Sequence, residues 1–174
     1  NSSGATILTV NTGLAFNPGD LTINANSTAT IVDNGAVNLA GNYSSGALSV
    51  LNLSGSSTFT YNNVFSSFTN TGAINQSGTG NVSINASPIT NQGTINQSGT
   101  GSMTLSGNSI FGLALSNSGT ITPSGTGSIT FNTFAFFLGS NVITNSNTIS
   151  QTGTGSMTFN EPFNNSAAAS GFSA

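Results

Sequence analysis

"NQGTINQSGTGSMTL" (Asn91–Leu105) is one of four copies of a single unit. The others are "NTGAINQSGTGNVSI" from Asn70, "NSGTITPSGTGSITF" from Asn117 and "NSNTISQTGTGSMTF" from Asn145. They share the template N-x-G-x-I-x-x-[ST]-G-T-G-x-φ-[ST]-φ, with φ apolar. Their starts fall 21, 26 and 28 residues apart, within the range of solenoid periods. In "SMTL", Ser102 and Thr104 alternate with Met103 and Leu105, the period-2 signature of a strand with one face in and one out. "GTI" gives a second short strand around Ile95. "QSGTG" is the corner between them, because glycine tolerates the backbone of tight turns. A third, variable piece follows the copies: "NASPIT", then "SGNSIFGLALS", then "NTFAFFLGSNVIT". The template keeps its length while this side grows, as insertions do on one face of a solenoid. Helix is disfavoured throughout by β-branched and glycine-rich sequence.

The spacing predicts an all-β fold, a parallel β-solenoid of about six or seven coils of about 21–28 residues. Stacked at about 4.8 Å per coil, it makes a rod roughly 30–35 Å long. Residues 1–174 form a single domain. The regular coils run over 70–159 and less regular ones over 10–69, where "VNTGLAF" (Val10–Phe16) and "DNGAVNLAG" (Asp33–Gly41) read as degenerate coil starts. "LNLSGSSTFTY" (Leu51–Tyr61) aligns with Ile74–Ile84 without gaps, whereas Val37–Val50 does not register with the template. Stacking turns template positions into inward columns: Ile74, Ile95, Ile121 and Ile149; Val82, Met103, Ile129 and Met157; Ile84, Leu105, Phe131 and Phe159. Asn70, Asn91, Asn117 and Asn145 are expected to form an amide ladder from coil to coil.

Composition removes whole classes of function. The chain has no Lys, Arg, His or Cys and only three acids, Asp20, Asp33 and Glu161. Nucleic acids and anionic membranes are recognised through cations, and the common zinc, copper and iron–sulfur sites need Cys or His. No cofactor is expected. The low charge does not signal disorder, because the chain is 35% hydrophobic with 12 Phe and its apolar residues alternate. Its densest apolar run, "FAFFL" (Phe134–Leu138), is too short to cross a bilayer. A start at Asn1 fits a mature form whose signal peptide has been removed.

The units "NSGTITPSGTGSITF" and "NQGTINQSGTGSMTL" resemble the N-x-G-T-I and G-x-φ-T-φ coils of filamentous-haemagglutinin-type and autotransporter passenger proteins. The resemblance covers about residues 70–159 strongly and the N-terminal part weakly. It implies a right-handed parallel β-helix, secretion, and an adhesive or structural role at a cell surface. It carries no catalytic motif.

A two-carboxylate hydrolase at Asp20 and Asp33 is conceivable, but "NPGD" and "VDNG" are ordinary turn sequences, and no cation is present to stabilise an oxyanion. The same acids could meet calcium, without any calcium-repeat pattern in support. Thr104, Thr130 and Thr158, with Ser83 below them, make an outward hydroxyl column of the kind found on ice-binding faces, or simply favourable strand residues. Triplets such as "NYS" at Asn42, "NLS" at Asn52 and "NVS" at Asn81 fit glycan attachment.

The expected function is that of a non-enzymatic, secreted structural protein, whose subunits join head to tail in an extracellular filament or matrix. Its partner is then itself. Solenoid ends expose unpaired backbone, and no charged residues guard them here. Candidate subunit contacts are Ile7, Leu8, Val10, Phe134, Phe136, Phe137 and Phe163, partly in the terminal segments 1–9 and 160–174. The alternatives are a surface adhesin segment meeting a glycan or host surface, and an ice-binding protein.

Overall fold

A computed structural model describes residues 4–109, 113–135 and 140–166. Among them there is no helix, and the strands β1–β21, numbered in chain order, fall into three parallel sheets of seven strands each. The first sheet stacks β1 (Ala5–Val10), β4 (Thr28–Asp33), β7 (Val50–Leu53), β10 (Ala73–Gln76), β13 (Thr94–Gln97), β16 (Thr120–Pro123) and β19 (Thr148–Ile149). The second stacks β2 (Ala15–Phe16), β5 (Ala36–Leu39), β8 (Phe59–Asn63), β11 (Val82–Ala86), β14 (Met103–Ser109), β17 (Ile129–Ala135) and β20 (Met157–Phe159). The third stacks β3 (Leu21–Ile23), β6 (Tyr43–Ser45), β9 (Phe68–Asn70), β12 (Ile89–Asn91), β15 (Leu113–Asn117), β18 (Ser140–Asn145) and β21 (Phe163–Asn165). The chain visits the three sheets in turn, so each circuit is one coil of a seven-coil parallel β-solenoid.

The coils superimpose because their sequences do. Ile74 pairs with Ile95, Ile95 with Ile121 and Ile121 with Ile149. Val82, Met103, Ile129 and Met157 form the next column, and Ile84, Leu105, Phe131 and Phe159 the one after it. All are buried except Met157 and Phe159, which are partly buried in the last coil. Each buried side chain of this size contributes about 1.5–3 kcal/mol. Phe131 and Phe159 stack with ring centroids 4.7 Å apart.

The less regular N-terminal part is wound into the same sheets. Val37 lies between Phe16 and Phe59, and Tyr43 between Leu21 and Phe68. Residues 37–50 therefore contribute β6 and parts of β5 and β7. Their corner is longer than those of later coils. Ser49 N donates to Gly46 O, and Leu48 sits at φ +57°. The equivalent corner one coil earlier has Ser27 N donating to Asn24 O and Asn26 at φ +57°. Strands also form in the terminal segments: β1 (Ala5–Val10) runs through 5–9 and one residue beyond, and β21 lies within 160–174.

The recurrent "GTG" has a steric cause. A Cβ on Gly101 would lie 1.9 Å from Gly80 O, and one on Gly127 would lie 2.1 Å from Gly101 O. The corners stack backbone on backbone, with no room for a side chain between them. Gln76 Nε2 spans its own corner, donating to Gly78 O and Gly80 O at 2.9 Å each. Gln97 does the same to Gly99 O and Gly101 O at 2.8 and 2.9 Å. The buried glutamine thereby fixes the corner that the glycines make possible.

Candidate assembly surfaces

At the N-terminal end the first coil borders a hollow of about 190 Å³, lined by Leu8, Phe16, Pro18, Asp20 and Leu21 above Ile31, Val37, Leu39 and Phe59; the expectation that no charged residue stands at the ends is corrected by Asp20 in this first coil and Glu161 in the last. Alternation along β1 decides which residues reach it. Thr6, Leu8 and Val10 pair with the inward-facing Ala29, Ile31 and Asp33, while Ile7 pairs with Thr30 and points out of the sheet, 74% exposed. Leu8 packs against the core from the rim. Val10 is buried at 5% exposure, and Gly35 N donates to its carbonyl. The apolar surface of this end is thus Leu8, Phe16 and Leu21, with Ile7 displaced to the flank.

At the other end, Met157, Phe159 and Phe163 pack against the core and remain partly exposed. Phe159 and Phe163 are 4.5 Å apart at a tilt of 32°. They carry the same columns as the first coil: Phe16 and Met157 end one, Leu21 and Phe163 another. Phe134, on β17, is 57% exposed; Phe136 and Phe137 lie outside the described residues.

Between the ends runs the asparagine ladder. Asn70 Nδ2 donates to Asn91 Oδ1 at 2.8 Å, Asn91 to Asn117 at 2.7 Å, Asn117 to Asn145 at 2.6 Å and Asn145 to Asn165 at 2.9 Å. Each donor also reaches the carbonyl two residues on, at Gly72, Gly93, Gly119 and Asn147. Ser45 Oγ donates to Asn70 Oδ1 at 3.1 Å, and buried Ile23 occupies this position in the first coil. The amide ladder therefore stops before the N-terminal face.

The template did not point to further ladders on the outer face. Asn96 Nδ2 donates to Asn75 and Asn75 to Asn52, each at 3.0 Å, and Asn52 to Thr30 Oγ1 at 3.2 Å. Asn85 donates to Asn62 at 3.0 Å and Asn160 to Asn132 at 2.7 Å. The signal was present as asparagine recurring at one strand position. The outward column Ser83, Thr104, Thr130 and Thr158 is in register beside these amides.

The acids are separated. Asp20 is exposed at the corner before β3, where its Oδ1 accepts from Asn42 N at 2.6 Å. Asp33 is buried at 2% exposure and accepts from Gly55 N at 2.6 Å. Burial raises its proton affinity above that of an ordinary carboxyl, and the hydrogen bonds from Gly55 N and its own backbone only partly oppose this. Glu161 lies at the corner before β21. Among the described residues no three potential metal ligands come together, and no helix is long and apolar enough to cross a membrane.

No family model matches the chain, and no curated protein or solved structure matches it significantly.

Proposed function

We propose that this chain is a secreted structural protein that assembles head to tail into an extracellular filament or matrix. One observation carries the reading: the first and last described coils occupy the same columns of the same three parallel sheets. A translated and rotated copy would set Thr6 against Ile149, Phe16 against Met157 and Leu21 against Phe163. Parallel sheets are propagated by their own edges, and a head-to-tail contact that does not close generates a fibre. The junction would join backbone ladders and apolar columns, including a sulfur–aromatic contact at Met157. The amide ladder would not continue across it, because Ile23 stands at its place.

The test is sedimentation with negative-stain electron microscopy of the 174-residue chain. Filaments with an axial repeat of about 34 Å per copy, seven coils at about 4.8 Å, are the expected result. Leu8→Lys places a charge at the mouth and blocks growth, whereas Ile7→Lys on the flank does not. A wild type that stays monomeric at high concentration refutes the proposal. A second reading is an adhesin segment of the filamentous-haemagglutinin or autotransporter-passenger type. It is favoured by Phe65 and Leu48, which are 80% and 79% exposed on the side of the rod, where a ligand would cover them and an end-to-end neighbour would not.

A further inference from the structure

We propose that the head-to-tail junction is controlled by acid. Glu161 of one copy and Asp20 of the next meet at one corner of the stack, so that joining takes up a proton. This rests on the assembly reading above and adds its regulation.

The placement follows from the pairing. Leu21 and Phe163 end one continuous column of the third sheet. Asp20 immediately precedes Leu21, and Glu161 precedes Phe163 by two residues. Both acids therefore lie in the corner between the second and third sheets, one in the first coil and one in the last. Stacking one coil on the other brings these corners within about 5 Å of each other, one strand spacing. Two of the three acids in the chain would then lie in adjoining corners of the junction, Asp20 lining the N-terminal hollow with its Oδ1 turned toward Asn42 of its own second coil.

No side-chain cation offsets the pair, since the chain has no Lys, Arg or His. Around Asp20 the polar contacts are neutral: Asn42 N at 2.6 Å and Asn42 Nδ2 at 3.4 Å. The ionisable side chains on nearby strands are Tyr43 of β6 and Tyr61 of β8, and burial makes both harder to ionise than an ordinary phenol. Beside Glu161, Asn160 Nδ2 is engaged with Asn132 Oδ1 at 2.7 Å, and Pro162 O accepts from Ile143 N at 3.0 Å. Neither β17, β18, β20 nor β21 carries an ionisable side chain. Asp33 sits in the second coil on Gly55 N and does not line the N-terminal hollow. Two carboxylates sharing a site disfavour double ionisation, and the pair retains one proton at a pH where each alone would be charged. Proton uptake on joining makes association stronger as pH falls.

The experiment measures the association constant of the purified chain by sedimentation at about pH 4.5 and about pH 7.5, each at low and high salt. It compares wild type, Glu161→Gln and Glu161→Lys. Wild type is expected to associate about tenfold more tightly at the lower pH, with high salt narrowing the difference. Glu161→Gln should associate at neutral pH as tightly as wild type does in acid. Glu161→Lys puts an opposite charge in place of a like one and should reverse the sign, associating best at neutral pH. Circular dichroism checks that the variants keep their β structure. Equal association of wild type at both pH values overturns the acid control and leaves the filament reading standing. Acid dependence unchanged in both variants overturns it likewise. Monomers under every condition overturn both.

Discussion

Asn91 is the most informative residue to change, because its side chain is bonded on both sides and has a direction. It is 1% exposed. Its Oδ1 accepts from Asn70 Nδ2 at 2.8 Å, and its Nδ2 faces Gly93 O at 3.2 Å, Asn117 Oδ1 at 2.7 Å and Thr120 O at 3.3 Å. Asn91→Leu removes these bonds at similar volume. Asn70 Nδ2 keeps Gly72 O and Thr94 O, but Asn117 Oδ1 loses its donor. One orphaned buried acceptor costs about 1–3 kcal/mol and each lost bond about 1 kcal/mol net, so the variant should lose about 2–4 kcal/mol. Asn91→Asp is sterically smaller in effect and electrostatically worse. It turns the donor into a fourth acceptor facing three others and buries a charge with no side-chain cation in the chain. A buried unpaired charge costs several kcal/mol beyond the lost bonds.

The assay is urea denaturation followed by circular dichroism, at neutral pH and at about pH 3, where a carboxyl is protonated and regains one donor. Asn91→Asp should be less stable than Asn91→Leu at neutral pH and should recover part of the gap in acid. An Asn91→Asp protein within about 1 kcal/mol of wild type at neutral pH would refute the ladder.

Two further outcomes follow from positions outside the ladder. Gly101→Ala places a methyl 1.9 Å from Gly80 O and 2.7 Å from Gln76 Nε2, and should lower stability by about 2 kcal/mol or more. Gly19→Ala meets nothing within 4 Å and should change it by less than about 0.5 kcal/mol; equal thermal shifts would contradict the stacked-corner account. Asp33 holds its proton more tightly folded than unfolded because it is buried. Its contribution therefore declines as pH rises from its ordinary value of 3.8 through the raised folded value, and stays lost above that. Asp33→Asn should melt near wild type at about pH 3 and higher than wild type at neutral pH; a variant that melts lower at neutral pH would show that the Gly55 hydrogen bond outweighs burial.

The regular coils were legible because one position of the template serves one place in the fold. Ile95 and Ile121 can be aligned on paper, and the structure pairs them. Tyr43 could not be aligned that way. It fills the column position of Phe68 and Ile89 in a coil whose corner at Gly46–Ser49 has a different length and no repeat motif. Sequence periodicity reports columns but not corner geometry, so the winding of the unmatched stretch could not be read from it. The glutamine clasp was hidden for another reason. Gln76 lies at a column position that Leu8, Ile31 and Leu53 share, and nothing in a hydrophobic pattern marks a polar residue there as buried. The flank position of Ile7, by contrast, required only the pairing phase of β1, which a single isolated strand cannot supply.

The absence of charge has a structural reason in the stacking itself. A repeat copies each side chain onto its own equivalent one strand spacing away, so every column must tolerate itself. Like charges about 4.8 Å apart repel by about 1 kcal/mol per neighbour even in water, and by more where the surroundings are less polar. An amide avoids this because it carries a donor and an acceptor: Asn70, Asn91 and Asn117 each satisfy the next. Aromatic rings and hydroxyls are self-compatible in the same way, as with Phe131 on Phe159 and Ser156 Oγ on Ser128 Oγ at 2.8 Å. Carboxylates are not self-compatible, and none occurs between Asp33 and Glu161. The acids occur only where no equivalent acid lies in the adjoining coil of the same chain. Asp20 and Glu161 satisfy that condition within one copy, and a head-to-tail neighbour is what would break it. The same self-stacking rule that empties the central coils of charge would, in the proposed assembly, make these two carboxylates the place where solvent protons act.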